Sequence, residues 1–436
     1  MAATPERRPA QRRRRTWLAV AAVLLLAATL VIRLAYVGGT PDRPLVHDAL
    51  DYDGHAVSIA QGEGYSDELA HGRPTAFRPP GYPYVLGAVY NLAGVEHEPE
   101  HERVHVARRA QAVIGTLLVA IAGLLAAQLW GPLVALAATA LGAVYVPLVT
   151  MSGTVMSEPL FTVFMLASLC AVIQHRRSPH RLRWALVAGL LAGASILTRA
   201  NAVILLAPLA FAAWDVRPRW SARALAAPVA LVVVAALTLV PWTVRNHRTL
   251  HTFVPVSTQL GSALGGTYND EARTDPEHPA SWRSLKGVPS YRDLYNTVGR
   301  TNEAVLERRI RHRAVRYALD HPLYVPQVVF WTTVRALELD GIDWARHTAS
   351  TVSIGARWAD RGVYCFWAFA LLALAGAFTP LARRAPWFVW AFPVLMYLSV
   401  AFLVIETPRY RTPVDPFVVL LAALALVTAG RRLARR

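Results

Sequence analysis

Apolar residues are concentrated in long blocks that are separated by short polar segments. Examples of such blocks are residues 17–32, 112–129, 161–173 and 368–378. A helix needs about 20 mainly apolar residues to cross the hydrocarbon core of a bilayer, and these blocks approach or reach that length. The pattern predicts an all-α membrane protein with a single transmembrane domain over residues 17–430 and about ten spans. The predicted spans cover about residues 17–37, 104–129, 133–150, 158–175, two segments within 184–214, then 223–242, 362–379, 387–404 and 414–429.

The block 184–214 requires a decision about its topology. At about 31 residues it is too long for one simple span and short for two. Both of its flanks, residues 175–183 and 217–223, are basic and therefore belong on the same, cytoplasmic side. The block is thus predicted to enter the membrane and return, with a polar turn at residues 198–201 that is best placed in a water-filled cavity between helices.

Charge sets the orientation of the spans. The net charge is +17, although only 17% of the residues are charged, against about 25% in an ordinary soluble chain. In a soluble protein this net charge would suggest a nucleic-acid partner. Here the arginines lie mainly in clusters between apolar blocks, where they mark cytoplasmic loops. Membrane lipids are therefore the predicted partners, and no nucleic-acid partner is predicted.

The same rule places both termini in the cytoplasm. Residues 1–16 and 431–436 are predicted to be basic cytoplasmic tails, and residues 38–103 and 243–360 to be two long external loops. Within the second loop, residues 321–339 contain enough apolar positions for a helix that spans, dips into or lies on the membrane.

The first external loop contains the densest group of candidate chemical residues. Acids occur at Asp48, Asp51 and Asp53, and on a helix positions 48, 51, 52 and 55 share one face. An acid held partly away from water at the membrane surface can have a raised pKa and act as a general base. It can equally bind a divalent cation beside a phosphate, or belong to a solvated acidic loop.

Two further segments are predicted to face the same outer side. Arg78 precedes Pro79-Pro80-Gly81-Tyr82, which begins a short interfacial helix with its tyrosines at headgroup depth. Arg78 can pair with a lipid phosphate or simply extend towards the headgroups. Glu158 lies at the outer end of the fourth span, where it can join Asp48 in a cavity or merely complement the helix dipole.

Arginines also reach the outer ends of several spans. They are Arg199, Arg245, Arg409 and Arg411. External arginines at span ends are less expected than cytoplasmic ones. Several of them converging on one cavity favour an anionic ligand, and a polyprenyl phosphate supplies both the charge and the lipid.

With these segments placed, the chain resembles the GT-C-fold membrane glycosyltransferases, in particular the bacterial branch related to protein O-mannosyltransferases and lipid A aminoarabinose transferases (glycosyltransferase family 39-like). The resemblance extends from about residue 15 to residue 430. The matching segments are, in order, Asp48 with Tyr52 and Ala56, Gly62-Glu63-Gly64, Arg78 to Pro83, Ser157 to Phe161, Leu197-Thr198-Arg199, Pro241 to Asn246 with Phe253-Val254-Pro255, and Arg409 to Pro413.

The resemblance implies transfer of a sugar, a hexose or a pentose, from a polyprenyl-phosphate donor on the outer side of a bacterial plasma membrane, with inversion at the anomeric carbon. It implies Asp48 as the base, Glu158 as a second acid of the cavity, and Arg78 as a residue that touches the donor phosphate. On the same reading, Arg199, Arg245, Arg409 and Arg411 also bind the phosphate, and Tyr52, Tyr82 and Tyr410 line the substrate site. The acceptor is a glycan, a lipid or a protein.

The chain also departs from these relatives. Phe77 stands where the aminoarabinose type has an acid before the basic residue, and Ala49 follows Asp48 where mannosyltransferases often show Asp-Glu. The sugar and acceptor therefore do not carry over, and no metal ligand is assigned. Two other readings are a transporter or flippase of lipid-linked sugars, which would use a similar basic cavity without a base, and a structural subunit that has lost activity.

Overall fold

A computed structural model describes residues 7–41, 44–67, 72–214, 221–403 and 408–435. Helices dominate these residues, and a two-stranded antiparallel hairpin pairs β1 (Ser66–Asp67) with β2 (Arg73–Pro74). The first ten α-helices are α1 (Arg7–Gly38), α2 (Asp48–Ala60), α3 (Gly81–Ala93), α4 (Glu100–Trp130), α5 (Pro132–Val144), α6 (Val146–Thr150), α7 (Glu158–His175), α8 (Arg181–Thr198), α9 (Leu206–Ala213) and α10 (Ala222–Leu250). The remainder are α11 (Gln259–Thr267), α12 (Asp270–Arg273), α13 (Arg292–Tyr295), α14 (Glu303–Asp320), α15 (Tyr324–Ala336), α16 (Ile342–Ser350), α17 (Ala356–Ala377), α18 (Trp387–Ala401) and α19 (Asp415–Leu433).

The predicted spans correspond to helices. Within the described residues, seven are long and apolar enough to cross a membrane, namely α1 from Thr16 onwards, α4, α7, α8, α10, α17 and α19. A bent pair of helices over Pro132–Val144 and Val146–Gly153 makes an eighth. The two remaining predicted spans coincide with the shorter apolar helices Ala200–Ala213 and Trp387–Ala401. The all-α, multi-pass architecture is therefore confirmed. In the predicted tail 1–16, α1 begins at Arg7, and residues 1–6 lie outside the described part.

The third predicted span is not straight. Its two halves meet at Tyr145 with a bend of 61°. Tyr145 has an extended backbone (φ −67°, ψ 104°), and Pro147 lies in the first turn of α6. A proline has no backbone N–H to donate to the preceding turn, and its ring clashes with the carbonyl four residues earlier, which explains the break.

The turn predicted at residues 198–201 is also present. α8 ends at Thr198, Arg199 is extended (φ −147°, ψ 117°), and a 3-10 helix runs from Ala200 to Leu205 before α9. This turn brings a guanidinium group to the end of two membrane helices.

Burial differs widely among the spans. In α7, 83% of the apolar window is buried, against 11% in α1 and 17% in α10. Phe161, Met165 and Leu169 of α7 belong to the largest hydrophobic core. The outer helices therefore keep an apolar surface for lipid, while α7 is enclosed, so that Glu158 at its start lies inside the protein.

The second predicted external loop forms a smaller helical unit. Helices α11, α13, α14 and α15 and the segments between them contribute to a hydrophobic core that includes Tyr268, Tyr291 and Ile310. The helix predicted within residues 321–339 is α15, which has 13 residues. This length is short of the roughly 20 that a simple span requires.

Candidate functional site

Helix α2 begins at the first candidate acid. Asp48 and Asp51 lie in its first turn, where the positive end of the helix dipole favours carboxylates. Asp48, Asp51 and Tyr52 all take part in the contacts described below, as expected for residues on one face of a helix. Asp53 points elsewhere and pairs with Arg103 of α4 at 2.6 Å, which fixes α2 against the transmembrane domain.

Arg78 lies directly opposite these acids. Its Nη2 contacts Oδ1 of Asp48, and it pairs with Oδ2 of Asp51 at 2.6 Å. Its guanidinium also lies over the ring of Tyr52, 5.5 Å from the centroid. The Pro79-Pro80 pair precedes α3 and limits the backbone at this point. Arg78 is therefore held between α2 and α3, with 5% of its side chain exposed.

Glu158 joins two arginines from distant parts of the chain. Its Oε1 is 2.6 Å from Nη1 of Arg199 and 2.6 Å from Nε of Arg409. The Nη2 of Arg409 also contacts Oδ2 of Asp48. Arg409 thus links the two candidate catalytic acids, although 361 residues separate it from Asp48 in the sequence.

These contacts form one continuous group, which we call the arginine–carboxylate cluster. Its members are Asp48, Asp51, Arg78, Glu158, Arg199 and Arg409. The formal charges of three arginines and three acids cancel. Burying so many charges is costly even when they are paired, because desolvation offsets the attraction between them. A concentration of this kind at the ends of membrane helices indicates a functional site.

The cluster is open towards Asp48 and Asp51. Their side chains are 20% and 18% exposed, whereas that of Glu158 is fully buried. The Oε2 atom of Glu158 has no hydrogen-bond partner among the described residues. A ligand that approaches from the open side therefore meets Asp48 first and Glu158 deeper in the protein.

The electrostatics of Asp48 differ from the expectation. Burial alone would raise the pKa of this carboxyl, but the charges of Arg409 and Arg78 and their hydrogen bonds outweigh burial and hold the pKa below its usual value. The prediction of a raised pKa is therefore wrong for this arrangement, because two guanidinium groups contact the same carboxylate. Asp48 is ionised here and strongly paired.

The three candidate tyrosines line the cluster in different ways. The ring of Tyr410 lies 5.3 Å from the guanidinium of Arg199 and 4.9 Å from that of Arg409. The hydroxyl of Tyr52 is 3.0 Å from that of Ser157. Tyr82 packs edge-on against Tyr52, with ring centroids 5.0 Å apart, and is 1% exposed. Tyr410 is thus a wall of the site, while Tyr82 supports Tyr52 from behind.

Arg245 does not join the cluster. Its guanidinium donates to the carbonyl oxygens of Thr75 at 2.5 Å and Tyr65 at 2.6 Å. The hydroxyl of Tyr65 in turn donates to the carbonyl oxygen of Arg78 at 3.0 Å. Arg245 therefore holds the hairpin segment that supports Arg78, and its predicted contact with a phosphate is indirect at most in this structure.

Arg411 lies in a separate buried group. It pairs with Asp415 at 2.9 Å and with Glu338 at 2.9 Å, and its guanidinium is 3.7 Å from the centroid of the Phe366 ring. Residues 409 and 411 point to different neighbours because the chain turns through this segment on its way into α19. The structure therefore does not bring Arg411 to the predicted phosphate site.

Two members of the site were given no role in the reading of the sequence. Asp51 shares Arg78 with Asp48, and Ser157 bridges Tyr52 and Arg199, at 3.4 Å from the latter. The helical period of α2 pointed to Asp51, because Asp51 lies on the same face of the helix as Asp48. Ser157 carried no signal beyond its place before Glu158.

Among the described residues, no group of three or more His, Cys, Asp or Glu side chains is arranged to hold a metal ion, and a divalent cation beside Asp48 stays a prediction.

Comparison with known proteins gives a partial family match. Residues 86–254 match the family model described as dolichyl-phosphate-mannose-protein mannosyltransferase. That stretch includes Glu158, Arg199 and Arg245, and it leaves out Asp48, Arg78 and Arg409. Among curated proteins, none matches the chain significantly.

Solved structures give a match over nearly the whole chain. One match is the archaeal oligosaccharyltransferase AglB from Archaeoglobus fulgidus, in complex with an inhibitory peptide and a dolichol-phosphate. The TM-score is 0.56 at 14% identity, and the match covers 96% of this chain and 51% of the AglB chain. Its apo form has a TM-score of 0.56 at 15% identity, with the same coverage of 96% and 51%. The chain thus spans about half the length of these proteins. ArnT from Cupriavidus metallidurans, bound to undecaprenyl phosphate, is similar at a TM-score of 0.45 and 16% identity over 93% of this chain and 77% of that one, which is too low to support an argument. The similarity to the oligosaccharyltransferase confirms the GT-C-like fold.

Proposed function

We propose that this chain, which has the fold of GT-C membrane glycosyltransferases, transfers a sugar from a polyprenyl-phosphate donor to an acceptor on the outer side of a bacterial plasma membrane. The observation that carries the proposal is the arginine–carboxylate cluster. It joins three guanidinium groups to Asp48 and Glu158 where membrane helices end. The description of the matching family, which names a dolichyl-phosphate-linked sugar, supports the choice of donor.

The donor phosphate is proposed to bind Arg78 and Arg409, with Arg199 completing the basic wall. A guanidinium group forms paired, charge-assisted hydrogen bonds with phosphate oxygens. The phosphodiester brings one negative charge into a cluster whose formal charges already cancel. It therefore competes with Asp48 for the two arginines.

That competition gives Asp48 a role as the base. Once the phosphate draws on Arg78 and Arg409, the interactions that lower the pKa of Asp48 weaken, while burial still acts to raise it. The carboxylate then becomes a better proton acceptor at the moment when the donor is in place. Without a donor, Asp48 stays paired and the site is inactive.

The reaction is a single displacement. The acceptor oxygen or nitrogen attacks the anomeric carbon while the bond from that carbon to the phosphate oxygen breaks. The phosphate keeps the electron pair and leaves as polyprenyl phosphate, stabilised by the arginines. The acceptor proton passes to Asp48, and attack from the face opposite the leaving group inverts the anomeric carbon. Glu158 holds Arg199 and Arg409 in place.

A transfer assay tests the proposal. Membranes that contain the full chain are supplied with polyprenyl-phosphate sugars labelled in the sugar, one hexose and one pentose at a time. The proposal predicts labelled acceptor together with free polyprenyl phosphate, above the level in membranes without the chain. Movement of the labelled lipid across the membrane with no transfer would instead support a flippase and contradict the proposal.

A further inference from the structure

A second pocket lies beside the small helical unit of the second predicted external loop. It is formed between residues 278–283 and helix α16 with the turn that follows it, and its volume is about 70 Å³. One water molecule requires about 10–15 Å³ on the same measure, so several hydroxyl-sized groups fit. We call it the Trp282 pocket; its main lining residues are His278, Ser281, Trp282, Arg283, Trp344 and His347.

Two polar groups of this pocket are buried and unsatisfied. Ser281 is 4% exposed and Trp344 is 7% exposed. The hydroxyl of Ser281 and the indole nitrogen of Trp344 have no hydrogen-bond partner among the residues that the structure describes. Leaving such a group unpaired is costly, so native proteins normally satisfy it. Because both residues line the pocket, a ligand that carries hydroxyl groups would be placed to supply partners to them.

Trp282 provides an aromatic wall. One side of its indole covers Gly266 of α11, where an added Cβ would lie 2.0 Å from the indole nitrogen. Even so, the side chain is 41% exposed. A flat aromatic surface beside hydrogen-bonding groups suits a sugar ring, which has an apolar C–H face and a rim of hydroxyls.

The arginine that lines the pocket and the one beside it are both ion-paired. Arg283 is ion-paired with Asp275. Arg335, which lies 4.2 Å from the centroid of the Trp344 ring, is paired with Asp340 at 2.8 Å. With both arginines already paired, the pocket favours a neutral ligand over a phosphate or carboxylate.

Helix α16 connects this pocket to the loop that carries Arg409. On one side it contributes Trp344 and His347 to the Trp282 pocket. On another it contributes Ala345 and Ala349 to a separate small cavity that is also lined by Pro408 and Arg411. A ligand in the Trp282 pocket would therefore rest on a helix that also borders the loop carrying Arg409.

We propose that the Trp282 pocket binds one neutral sugar ring, and that this ring belongs to the acceptor. The assignment of the ring to an acceptor rests on the proposed glycosyltransferase function. The binding of a saccharide to the pocket does not depend on that function. The acceptor is then a glycan, or a lipid or protein already carrying one, rather than an unmodified peptide.

Calorimetric titration of the purified full chain in detergent tests the pocket directly. The probes are short hexose and pentose oligomers and an unmodified Ser/Thr-containing peptide. We expect millimolar-range affinity for at least one saccharide and none for the peptide. Trp282→Ala should weaken binding about tenfold or more, because it removes the stacking surface.

Two glycines offer a matched comparison. Gly266→Ala should weaken binding similarly because its methyl group displaces the indole of Trp282, whereas Gly287→Ala should bind like wild type because nothing lies within 4 Å of the added carbon. The proposal would be overturned if no saccharide bound, if all variants bound with equal affinity, or if only the peptide bound. Asp48→Asn should bind the saccharide normally, so failure of the transfer chemistry and failure of this pocket give different results.

Discussion

The properties of the site depend on how individual side chains are paired. Arg409 contacts Asp48 through one nitrogen and Glu158 through another, so a single residue couples the proposed base to the buried acid. An arginine can do this because its guanidinium presents several donors in a fixed plane, which a lysine cannot reproduce. Binding of the donor is therefore expected to alter both acids together.

The first prediction concerns pH. In the free enzyme the arginines hold the pKa of Asp48 below its ordinary value of 3.8, so the base stays ionised as the pH falls and is lost only below that value. In the donor complex the phosphate engages the same arginines, and the pKa of Asp48 rises. Since kcat/KM reports the free enzyme and kcat the complex, the acid limb of kcat should lie at higher pH, by about one unit or more. Coincident limbs, measured where circular dichroism shows an intact fold, would contradict this account.

The second prediction concerns Arg78. Arg78→Ala removes a cation from the proposed phosphate site and should raise the KM for the donor about tenfold or more. Arg300→Ala, at an exposed arginine between α13 and α14, is the control and should leave the KM unchanged. Steady-state kinetics with varied donor measure both, and an unaltered KM in Arg78→Ala would remove this residue from the phosphate site.

Much of the site could be predicted at this scale, but not all of it. Glu158, Arg199 and Arg409 were each predicted at the outer end of a span, and Asp48 and Arg78 in the first external loop. Topology alone puts these segments on the same side of the membrane. Topology says nothing about which way a side chain points. Arg245 and Arg411 satisfy the same criterion, yet one donates to backbone carbonyls and the other pairs with acids of a different group.

At the scale of helices, the cluster depends on how closely α2 and α3 pack. Gly87 of α3 faces α2 so closely that an added Cβ would lie 2.8 Å from the carbonyl oxygen of Ala56. Backbone atoms cannot move aside as a flexible side chain can. The absence of a side chain at this position therefore sets the distance between the acids on α2 and Arg78, which precedes α3.

The third prediction follows from this contact. Gly87→Ala should push α3 away from α2, at a cost of about 1–3 kcal/mol, and lower both thermal stability and transfer. Gly54→Ala in α2 is the matched control, because nothing lies within 4 Å of its added Cβ and alanine favours a helix by up to about 1 kcal/mol over glycine. If thermal melts and transfer assays gave the same result for both variants, the close packing of α2 and α3 would not matter to the site.

The helices themselves were largely predictable. Long apolar blocks are unfavourable in water, and in lipid a helix satisfies the hydrogen bonds of its own backbone. The break at Tyr145 was missed, although Pro147 was visible in the sequence. Proline is tolerated inside some membrane helices, as at Pro228 and Pro241 of α10, so its presence alone does not predict a bend. The bend depends on the neighbours that take up the freed backbone groups.

At the scale of the whole molecule, the orientation in the membrane is predicted from the distribution of charge. The fourth prediction is that Val298→Cys, in the external unit, reacts with a membrane-impermeant thiol reagent in intact cells. His180→Cys, in the basic segment between α7 and α8, should react only after permeabilisation. Both positions are exposed, and the wild-type cysteines are buried at Cys170 and partly buried at Cys365, so background labelling should be low. The reverse pattern would place the cluster on the cytoplasmic side.

The chain resembles a solved structure over nearly its whole length. It aligns over 96% of its residues with an oligosaccharyltransferase but covers only 51% of that protein. The shared part holds the fold, and at 14% identity it does not specify the sugar or the acceptor.

The most direct test of the central claim is the rate of sugar transfer by Asp48→Asn. The account predicts that kcat falls about 100-fold or more, because an amide cannot accept the acceptor proton, while the protein still folds into the membrane. Asp293→Asn, which removes an exposed acid paired with Arg313, is the control and should transfer at the wild-type rate. Wild-type turnover by Asp48→Asn would contradict the assignment of Asp48 as the base.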